Sequence, residues 1–344
     1  MSERVRVAVL AGGRSSEHAI SLASARSVIE ALDPGRYDTS VIEIDRHGRW
    51  ELADGTVALP GSDPTGPTPA PETLPVVADS APAAELGRVD VVLPILHGPF
   101  GEDGTVQGLL ELAGVPYVGA GVAASALCMD KDLFKAVLRD RGIPVARNVT
   151  LRDGDSSEHP FPYPVFVKPA RLGSSVGISK AHDADELAVA VALARRHDDK
   201  VLIEEFVPGV EVECGVLGNR SPIASVVGEI VAYAEWYDYS AKYDDGGMDL
   251  VIPARIPPEA DLRVRELAVE SFVATECEGM ARIDFFVRPD SEVVVNEINT
   301  IPGFTSTSVY AKLFEASGIS YAELLDRLVE LALERHERRL HLVY

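Results

Sequence analysis

The feature that most constrains the fold is a series of short apolar segments in the first third of the chain. Residues 4–10 alternate between polar and apolar side chains before they end in an apolar run. Further apolar runs lie within residues 39–44 and 89–95. Short runs of this kind are typical of parallel strands that are covered on both faces. They predict an open α/β unit at the start of the chain.

A glycine turn follows the first predicted strand. Gly12 and Gly13 end the apolar run, and Ser15 or Ser16 can then cap a helix over residues 17–32. This strand–turn–helix order points the N-terminus of the helix at the space above the sheet, where free N–H groups can meet a ligand.

The pattern divides the chain into three units. A Rossmann-like α/β domain is predicted at residues 1–121, and two α+β subdomains follow at 122–217 and 218–344. Residues 60–82 hold seven of the 23 prolines, a composition that cannot build a core and indicates a surface excursion. Residues 233–247, rich in Tyr, Trp, Asp and Gly, are predicted to form a loop.

The second unit opens with a predicted helix that Asp130 caps and Gly142 ends. Its apolar face should hold Leu133, Phe134, Val137 and Leu138. Further strands are predicted at residues 165–168, 177–180, 201–206 and 211–217, with a helix at about 183–197.

Composition excludes several classes of protein. The net charge of −22 leaves no broad basic surface for nucleic acid or an anionic membrane. The N-terminus lacks the pattern of a signal peptide, and no apolar run approaches the ~18 residues of a membrane span. The three cysteines are widely spaced and read as buried small side chains in a reducing compartment, so a cytoplasmic protein is expected.

A strand that ends in lysine leads into a glycine- and serine-rich loop. Lys168 is followed by Gly173, Ser174, Ser175 and Gly177, a composition that lets backbone N–H and hydroxyl groups approach phosphate oxygens. The order of a P-loop and a GxGxxG dinucleotide fingerprint are both absent. By itself, the segment fits an ordinary hairpin with a polar turn equally well.

Two further segments could belong to a nucleotide site. Lys131 lies just inside the capped helix, although a single helical lysine is more often on the solvated surface. The strand at 201–206 breaks at a Pro-Gly turn, where free backbone groups could pair with an adenine edge and Glu211 could bind ribose hydroxyls. A plain strand end explains the second segment equally well.

A predicted hairpin, 281–287 paired with 292–298, carries a sharper signal. Alternation places Arg282, Asp284 and Phe286 on one face, and it places Glu297 and Asn299 together on the next strand. The intervening apolar side chains should point into the core; they are Ile283, Phe285 and Val287. Two carboxylates and an amide oxygen form a hard donor set suited to Mg²⁺ that also binds phosphates.

Taken together, these segments resemble a known superfamily. Lys131, the loop at 168–177, the strand end at 204–207 and the acidic hairpin occur in the order typical of ATP-grasp enzymes. Four further motifs resemble the D-alanine–D-alanine ligases of that superfamily: 12–17 (GGRSSE), 97–104 (HGPFGEDG), 241–243 (AKY) and 299–308 (NTIPGFTSTS). The departures are the insert at 60–82 and Val309, where a larger apolar residue is usual.

The resemblance implies an ATP-grasp fold for the second and third units, and it implies a role for each matched residue. ATP would be bound by Lys131, Lys168, Ser174, Ser175, Val176, Gly177, Glu204, Glu205, Phe206, Val207, Glu211, Lys242 and Phe286. Two Mg²⁺ ions, for which Mn²⁺ could substitute, would be held by Asp284, Glu297 and Asn299.

The same resemblance implies where two D-alanine molecules bind. Glu17 and His97 would lie near the ammonium of the first, and Ser308 and Val309 would receive the carboxylate of the second. The oxyanion would be stabilised by Arg282 and the N–H group of Gly303, and a hydrogen-bonded triad would consist of Glu17, Ser174 and Tyr243.

The implied reaction phosphorylates one D-alanine with ATP and lets the amine of the other displace phosphate. Water would hydrolyse the acyl phosphate, so the loop at 233–247 is expected to close the site as a lid. Two rivals are a D-alanine–D-lactate ligase, against which Tyr243 argues, and an inactive nucleotide sensor, against which the complete acidic trio argues. The resemblance also implies a homodimer.

Overall fold

The computed structural model describes residues 4–53, 86, 88–232 and 248–343. Both the proline-rich insert at 60–82 and the predicted lid at 233–247 lie outside these residues. Among the helices that are described, none is long and apolar enough to cross a membrane.

The first unit is built on a four-stranded sheet in the order β3-β2-β1-β4. Strands β1 and β2 are parallel, as are β1 and β4, which confirms the predicted parallel pairing, whereas β3 is an antiparallel edge strand. The elements are β1 (Val5–Gly12), α1 (His18–Ala31), β2 (Tyr37–Ile44), β3 (Trp50–Ala53), β4 (Val91–Pro94) and α2 (Thr105–Ala113).

The turn after β1 requires glycine. Gly12 has a φ of 88°, and a Cβ atom there would lie 2.3 Å from the carbonyl oxygen of Ile44. The predicted serine cap is wrong: Glu17 occupies the N-cap position of α1 and its side chain makes no capping hydrogen bond. Ser15 instead accepts a hydrogen bond from the N–H group of Glu17.

The second unit has a four-stranded antiparallel sheet in the order β5-β8-β6-β7. Asp130 caps α4 as predicted, but Leu133 is 49% exposed and does not join the buried face. The elements are α3 (Val122–Met129), α4 (Lys131–Asp140), β5 (Asn148–Leu151), β6 (Val165–Pro169), β7 (Ser179–Ala181), α5 (Ala184–Ala194) and β8 (Val201–Glu205).

The third unit has a five-stranded antiparallel sheet in the order β11-β10-β9-β12-β13. Strand β9 pairs with β10 and β12, so the predicted boundary after residue 217 would separate β9 from its own sheet. The elements are β9 (Val210–Gly218), β10 (Ile223–Ala232), β11 (Met248–Val251), α6 (Pro258–Ala274), β12 (Gly279–Val287), β13 (Val293–Asn299), α7 (Val309–Ala316) and α8 (Tyr321–Leu340).

The last helix packs against the first sheet. One core cluster joins Val7 and Val9 of β1 to Leu324 and Leu328 of α8, and α1 contributes to the same cluster. Arg335 of α8 is buried and donates hydrogen bonds to backbone carbonyl groups of the first unit. The two ends of the described chain therefore share one core, and the remaining elements lie between them in sequence.

Candidate active site

A cavity of about 380 Å³ lies where the three units meet. It is lined by predicted site residues from distant parts of the sequence, namely Glu17, His97, Ser174, Glu211, Arg282, Glu297, Asn299, Gly303, Ser308 and Val309. The fold therefore gathers these side chains around one space, which sequence spacing alone could not establish.

His97 presents an unpaired nitrogen inside this region. Its Nδ1 lies 3.1 Å from the carbonyl oxygen of Ile301, a partner that can only accept, so Nδ1 carries the proton. Nε2 is buried and has no hydrogen-bond partner among the described residues. Burial lowers the pKa of His97, against the opposing effect of Glu17, so the ring is neutral at pH 7 and Nε2 can accept a hydrogen bond.

Glu102 is a cavity residue for which the sequence indicated no separate role. Its carboxyl group accepts the N–H group of Gly98 at 2.7 Å and that of Ile301 at 3.3 Å. Burial, and then the charge of Glu17, raise the pKa of Glu102 to about 8. His97 and Glu102, five residues apart, thus bind both backbone polar groups of Ile301.

The glycine- and serine-rich loop has an unusual backbone. Ser174 and Ser175 have φ angles of 54° and 58°, a region that residues with a side chain rarely adopt. At Gly177, with a φ of 71°, a Cβ atom would lie 2.6 Å from the ring of His197. Strained backbone of this kind is often found where a loop contacts a ligand, and Gly173 and Ser174 line the cavity.

Lys131 holds the second and third units together. Its backbone N–H group donates to Ala170, and its Nζ lies 2.7 Å from the carboxylate of Glu297 and 2.8 Å from the carbonyl oxygen of Leu172. The side chain is buried, so Lys131 is not a solvated surface lysine. Lys131 lies beside both the loop and the acidic hairpin.

Lys168 belongs to a buried ionic network. Glu204, which is 2% exposed, accepts from Lys168 at 2.6 Å and also forms an ion pair with the fully buried Lys135. Burial lowers the pKa of Lys135 to about 8, although Glu204 opposes the shift. The sequence patterns assigned no role to Lys135, but its position one helical turn after Lys131 places it on the same face of α4.

An apolar patch lies next to this network. Val207 and Val294 are buried, and the partly buried side chain of Phe286 packs against them. Phe206 is exposed, with its ring centroid 6.2 Å from that of Phe166. The predicted apolar contacts for a base therefore lie together.

Two further predicted nucleotide ligands are Glu205 and Glu211. The carboxylate of Glu205 is bound by Arg147 at 2.6 Å and faces Arg288 at 3.7 Å, so its side chain is already engaged. Glu211 lines the central cavity with Ser174. The backbone N–H group of Glu205 also donates to the carbonyl oxygen of Arg147 at 3.0 Å, so both its carboxylate and its N–H group are engaged within the protein.

The acidic hairpin has the predicted alternation on β12. Asp284 lies opposite Glu297 and Arg282 lies opposite Asn299, while Ile283, Phe285 and Val287 enter the core. An irregularity after Asp284 inserts Asn296 into β13, and its Oδ1 lies 3.3 Å from Nζ of Lys168. Asn296 is a further site residue, and alternation alone could not identify it.

Opposite charges are in direct contact at this hairpin. Arg282 donates two hydrogen bonds of 2.8 Å to Asp284 and lies 2.9 Å from Glu213. Burial opposes the charged form, but Asp284 and Glu213 raise the pKa of Arg282 well above its usual value. Asn299 donates to Asp284 at 3.0 Å.

The donor set fits a hard cation. Asp284, Glu297 and Asn299 supply two carboxylates and an amide oxygen from adjacent strands, and Arg282 and Lys131 already offset the carboxylates. Over residues 4–53, 86, 88–232 and 248–343, no group of three or more His, Cys, Asp and Glu side chains is arranged to hold a metal. Any cation would therefore need the amide and the phosphates of a nucleotide as further ligands.

The loop between β13 and α7 supplies donors for anions. Ser308 is the N-cap residue of α7, and its Oγ accepts the N–H group of Thr305 at 2.8 Å. The free N–H groups at the start of α7 can bind a carboxylate. Gly303 and Val309 line the same cavity.

Two predicted residues, Lys242 and Tyr243, lie outside the described residues. The proposed triad with Glu17 and Ser174 is therefore represented by two of its members, which line one cavity.

Comparison with known proteins identifies the family. The model described as "D-ala D-ala ligase N-terminus" matches residues 6–120, and "D-ala D-ala ligase C-terminus" matches residues 137–330. The chain is 43% identical to D-alanine–D-alanine ligase A of Escherichia coli K12 over 353 residues, which cover 97% of each chain.

Two solved structures are similar over nearly the full length of the chain. The D-alanine–D-alanine ligase of Coxiella burnetii has a TM-score of 0.82 and 38% identity, and covers 98% of this chain and 97% of its own. The VanG D-Ala:D-Ser ligase of Enterococcus faecalis has a TM-score of 0.82 and 37% identity, with 96% and 100% coverage. The chain belongs to the D-alanine–D-alanine ligase family.

Proposed function

We propose that this protein uses ATP to join two D-alanine molecules into D-alanyl-D-alanine for peptidoglycan precursor synthesis. One observation carries the proposal: a single cavity is lined by Glu17 and His97 of the first unit, by Ser174 of the second, and by Arg282 and Ser308 of the third. These residues supply contacts for an amino acid, a phosphate and a second carboxylate within one space.

ATP would lie between the second and third units, which we assign to an ATP-grasp fold. Lys131 and Lys168 would bind its phosphates beneath the loop at 174–177, whose backbone N–H groups add donors. The base would pack on Val207 and Phe286, with backbone groups at 204–207 available to its edge. Glu211 would accept hydrogen bonds from the ribose.

We assign Asp284, Glu297 and Asn299 as ligands of two Mg²⁺ ions, with Mn²⁺ as a possible substitute. The support is their hard oxygen donors on adjacent strands beside Lys131. When bound, the ions would neutralise phosphate charge and act as Lewis acids. Arg282 would then be freed in part from Asp284 to face the reacting carboxyl group.

The first D-alanine would place its ammonium between Glu17 and His97. The unprotonated Nε2 of His97 is a suitable acceptor for an ammonium N–H, and the Glu17 carboxylate supplies the opposite charge. This position leaves the substrate carboxylate facing the ATP-binding residues. Attack on the γ-phosphoryl group breaks its bond to ADP and forms D-alanyl phosphate.

The second D-alanine would bind its carboxylate at the start of α7, through the Ser308 hydroxyl and the Val309 N–H group. Its neutral amine attacks the carbonyl carbon of D-alanyl phosphate, the oxyanion is stabilised by Arg282 and the Gly303 N–H group, and phosphate leaves. Lys242 and Tyr243, in the lid at 233–247, would complete the site and exclude water.

The finer architecture is also a proposal. We assign residues 1–121 as a Rossmann-like domain and keep the three-unit division, but we place the second boundary between β8 and β9 because β9 pairs within the third sheet. We further propose a cytoplasmic homodimer. The resemblance of the sequence to the D-alanine–D-alanine ligases is the support for the dimer.

The deciding experiment mixes the protein with ATP, Mg²⁺ and D-alanine and detects D-alanyl-D-alanine by mass spectrometry. Phosphate release should depend on D-alanine. Parallel reactions that add D-lactate or D-serine in competition measure the choice of second substrate. ATP binding without any D-alanine-dependent phosphate release would contradict the proposal and favour a nucleotide sensor.

A further inference from the structure

A second cavity, of about 910 Å³, is lined by residues of α2, α3, α6 and α8. It shares no lining residue with the active-site cavity among the residues described. Cys277, which follows α6, lines this space and gives it a nucleophilic group. Arg335, Arg339 and His336 also line it.

Cys277 is in contact with a second thiol. Its Sγ lies 3.8 Å from the Sγ of Cys128, near the end of α3, and each residue is only 3% exposed. A disulfide bond is about 2.05 Å long, so a small side-chain movement would be needed to form it. Cys128 is not among the described residues that line the cavity, and it belongs to the same buried core cluster as Cys277.

The environment makes the two thiols unequal. The hydrogen bond with Cys128 lowers the pKa of Cys277, and the same bond raises the pKa of Cys128. The charge of Glu278 opposes the shift at Cys277, but Glu278 is paired with Arg338 and lies 4.0 Å from Arg335. Cys277 also lines the cavity and Cys128 does not, so Cys277 is the thiol that an oxidant entering the cavity meets first.

We propose that Cys277 and Cys128 form a peroxide-sensitive thiol pair, in which Cys277 is oxidised first and Cys128 then closes an intramolecular disulfide. A hydrogen peroxide molecule is small enough to reach Cys277 through the cavity. One thiol at the cavity wall and a second in contact with it inside the core correspond to an attacking and a resolving cysteine.

The chemistry balances with hydrogen peroxide as the oxidant. The Cys277 thiolate attacks one peroxide oxygen and the O–O bond breaks. Hydroxide is the leaving group, and Cys277 becomes a sulfenic acid. The Cys128 sulfur then attacks the Cys277 sulfur, the S–O bond breaks, and the hydroxyl group leaves as water with the thiol proton. Overall, two thiols and one hydrogen peroxide yield one disulfide and two water molecules.

The test exposes the full-length protein to hydrogen peroxide, alkylates the remaining thiols in denaturant and maps the peptides by mass spectrometry. The expected product joins the Cys128 and Cys277 peptides with the loss of two hydrogens, while Cys214 is alkylated. Dithiothreitol should restore all three thiols. Alkylation of all three at a dose that oxidises free cysteine would overturn the proposal.

Variants separate the two roles. In Cys128→Ser, dimedone should label Cys277 as a stable sulfenic acid at least tenfold more than in the wild-type protein. In Cys277→Ser, dimedone should not label Cys128. Cys214→Ser is the matched control, because Cys214 is also buried but contacts Ser225 instead of a cysteine, and it should form the disulfide normally.

If either variant fails to fold, the wild-type peptide map still decides the matter. A disulfide that includes Cys214, or one that links only separate chains, would also contradict the proposed pair.

Discussion

At the scale of single residues, one carboxyl group connects distant parts of the active site. Glu102 accepts the N–H group of Gly98 in its own turn and that of Ile301, 199 positions later. Burial is the largest influence on its acidity, and Glu17 acts in the same direction, so the pKa of Glu102 is raised to about 8. Folding therefore favours the protonated carboxyl group at neutral pH.

This shift predicts a pH dependence of stability. Between the ordinary pKa of 4.5 and the folded value of about 8, the folded chain holds a proton that the unfolded chain has released. The free energy of unfolding should fall as pH rises through this window, by at most about 1.4 kcal/mol per pH unit. Glu102→Gln should remove this component of the slope.

Chemical denaturation from pH 6.5 to 8 in metal-free buffer measures the difference between wild type and Glu102→Gln. Glu30→Gln, at an exposed position of α1, is the control and should keep the wild-type slope. An identical slope in Glu102→Gln would show that this carboxyl group does not titrate in the window.

A second residue-scale prediction concerns Glu297. Glu297→Gln should lower dipeptide formation by orders of magnitude, because it removes a negative ligand of the proposed metal site. The melting temperature should change little, since Lys131 retains the Leu172 carbonyl group as a partner. Glu292→Gln, on the same hairpin but exposed, should keep near-normal turnover. Near-normal turnover in Glu297→Gln would contradict the metal assignment.

At the scale of elements, the N-terminus of α4 combines two stabilising contacts. Asp130 accepts the N–H groups of Asp132 and Leu133, and it also forms an ion pair of 2.8 Å with the buried Lys200. Loss of a helix cap costs roughly 0.5–2 kcal/mol, and leaving a buried charge without its partner costs more. Asp132 remains near Lys200 and limits that second cost.

Asp130→Ala should therefore lower the free energy of unfolding by about 3 kcal/mol. The Michaelis constant for ATP should rise several-fold, because Lys131 begins the same helix. Asp183 caps α5 in a similar way, but it has no lysine partner in the described contacts. Asp183→Ala should therefore lower the free energy of unfolding by only about 1 kcal/mol. Equal losses in the two variants, measured by urea denaturation, would mean that the pair with Lys200 contributes nothing.

The elements also show what the sequence could and could not predict. Strand β12 was predictable because its polar and core side chains alternate. Helix α3 was missed because Val122–Met129 is almost uniformly apolar and has no polar face to mark a helical period. Lys135 shares a helix face with Lys131, a local signal that could have identified it, whereas Ile301 acquires its role from partners far away in sequence.

At the scale of the whole molecule, Arg335 connects the last helix to the first unit. Its guanidinium group donates to the carbonyl groups of Tyr117 and Gly119 and lies 4.2 Å from the ring centroid of Tyr117. Arg335→Met should lower the free energy of unfolding by about 2–5 kcal/mol, because two buried carbonyl groups lose their donor.

Arg327→Met is the matched control on the same helix. Within the part of the chain that the structure describes, Arg327 forms only an exposed pair with Glu323, worth about 0.3–0.5 kcal/mol. Urea denaturation should separate the two variants clearly. A loss of less than 1 kcal/mol in Arg335→Met would mean that water replaces the guanidinium group without cost.

The core shared by β1 and α8 has a consequence for synthesis on the ribosome. The apolar face of the first sheet that α8 covers stays without that cover until residues beyond Leu328 have emerged. At about 5–20 residues per second, this interval lasts from roughly 15 s to roughly a minute. During most of its translation, the nascent chain therefore exposes an apolar face of the first sheet that can associate with other proteins. Termination before α8 should yield products that depend on chaperones.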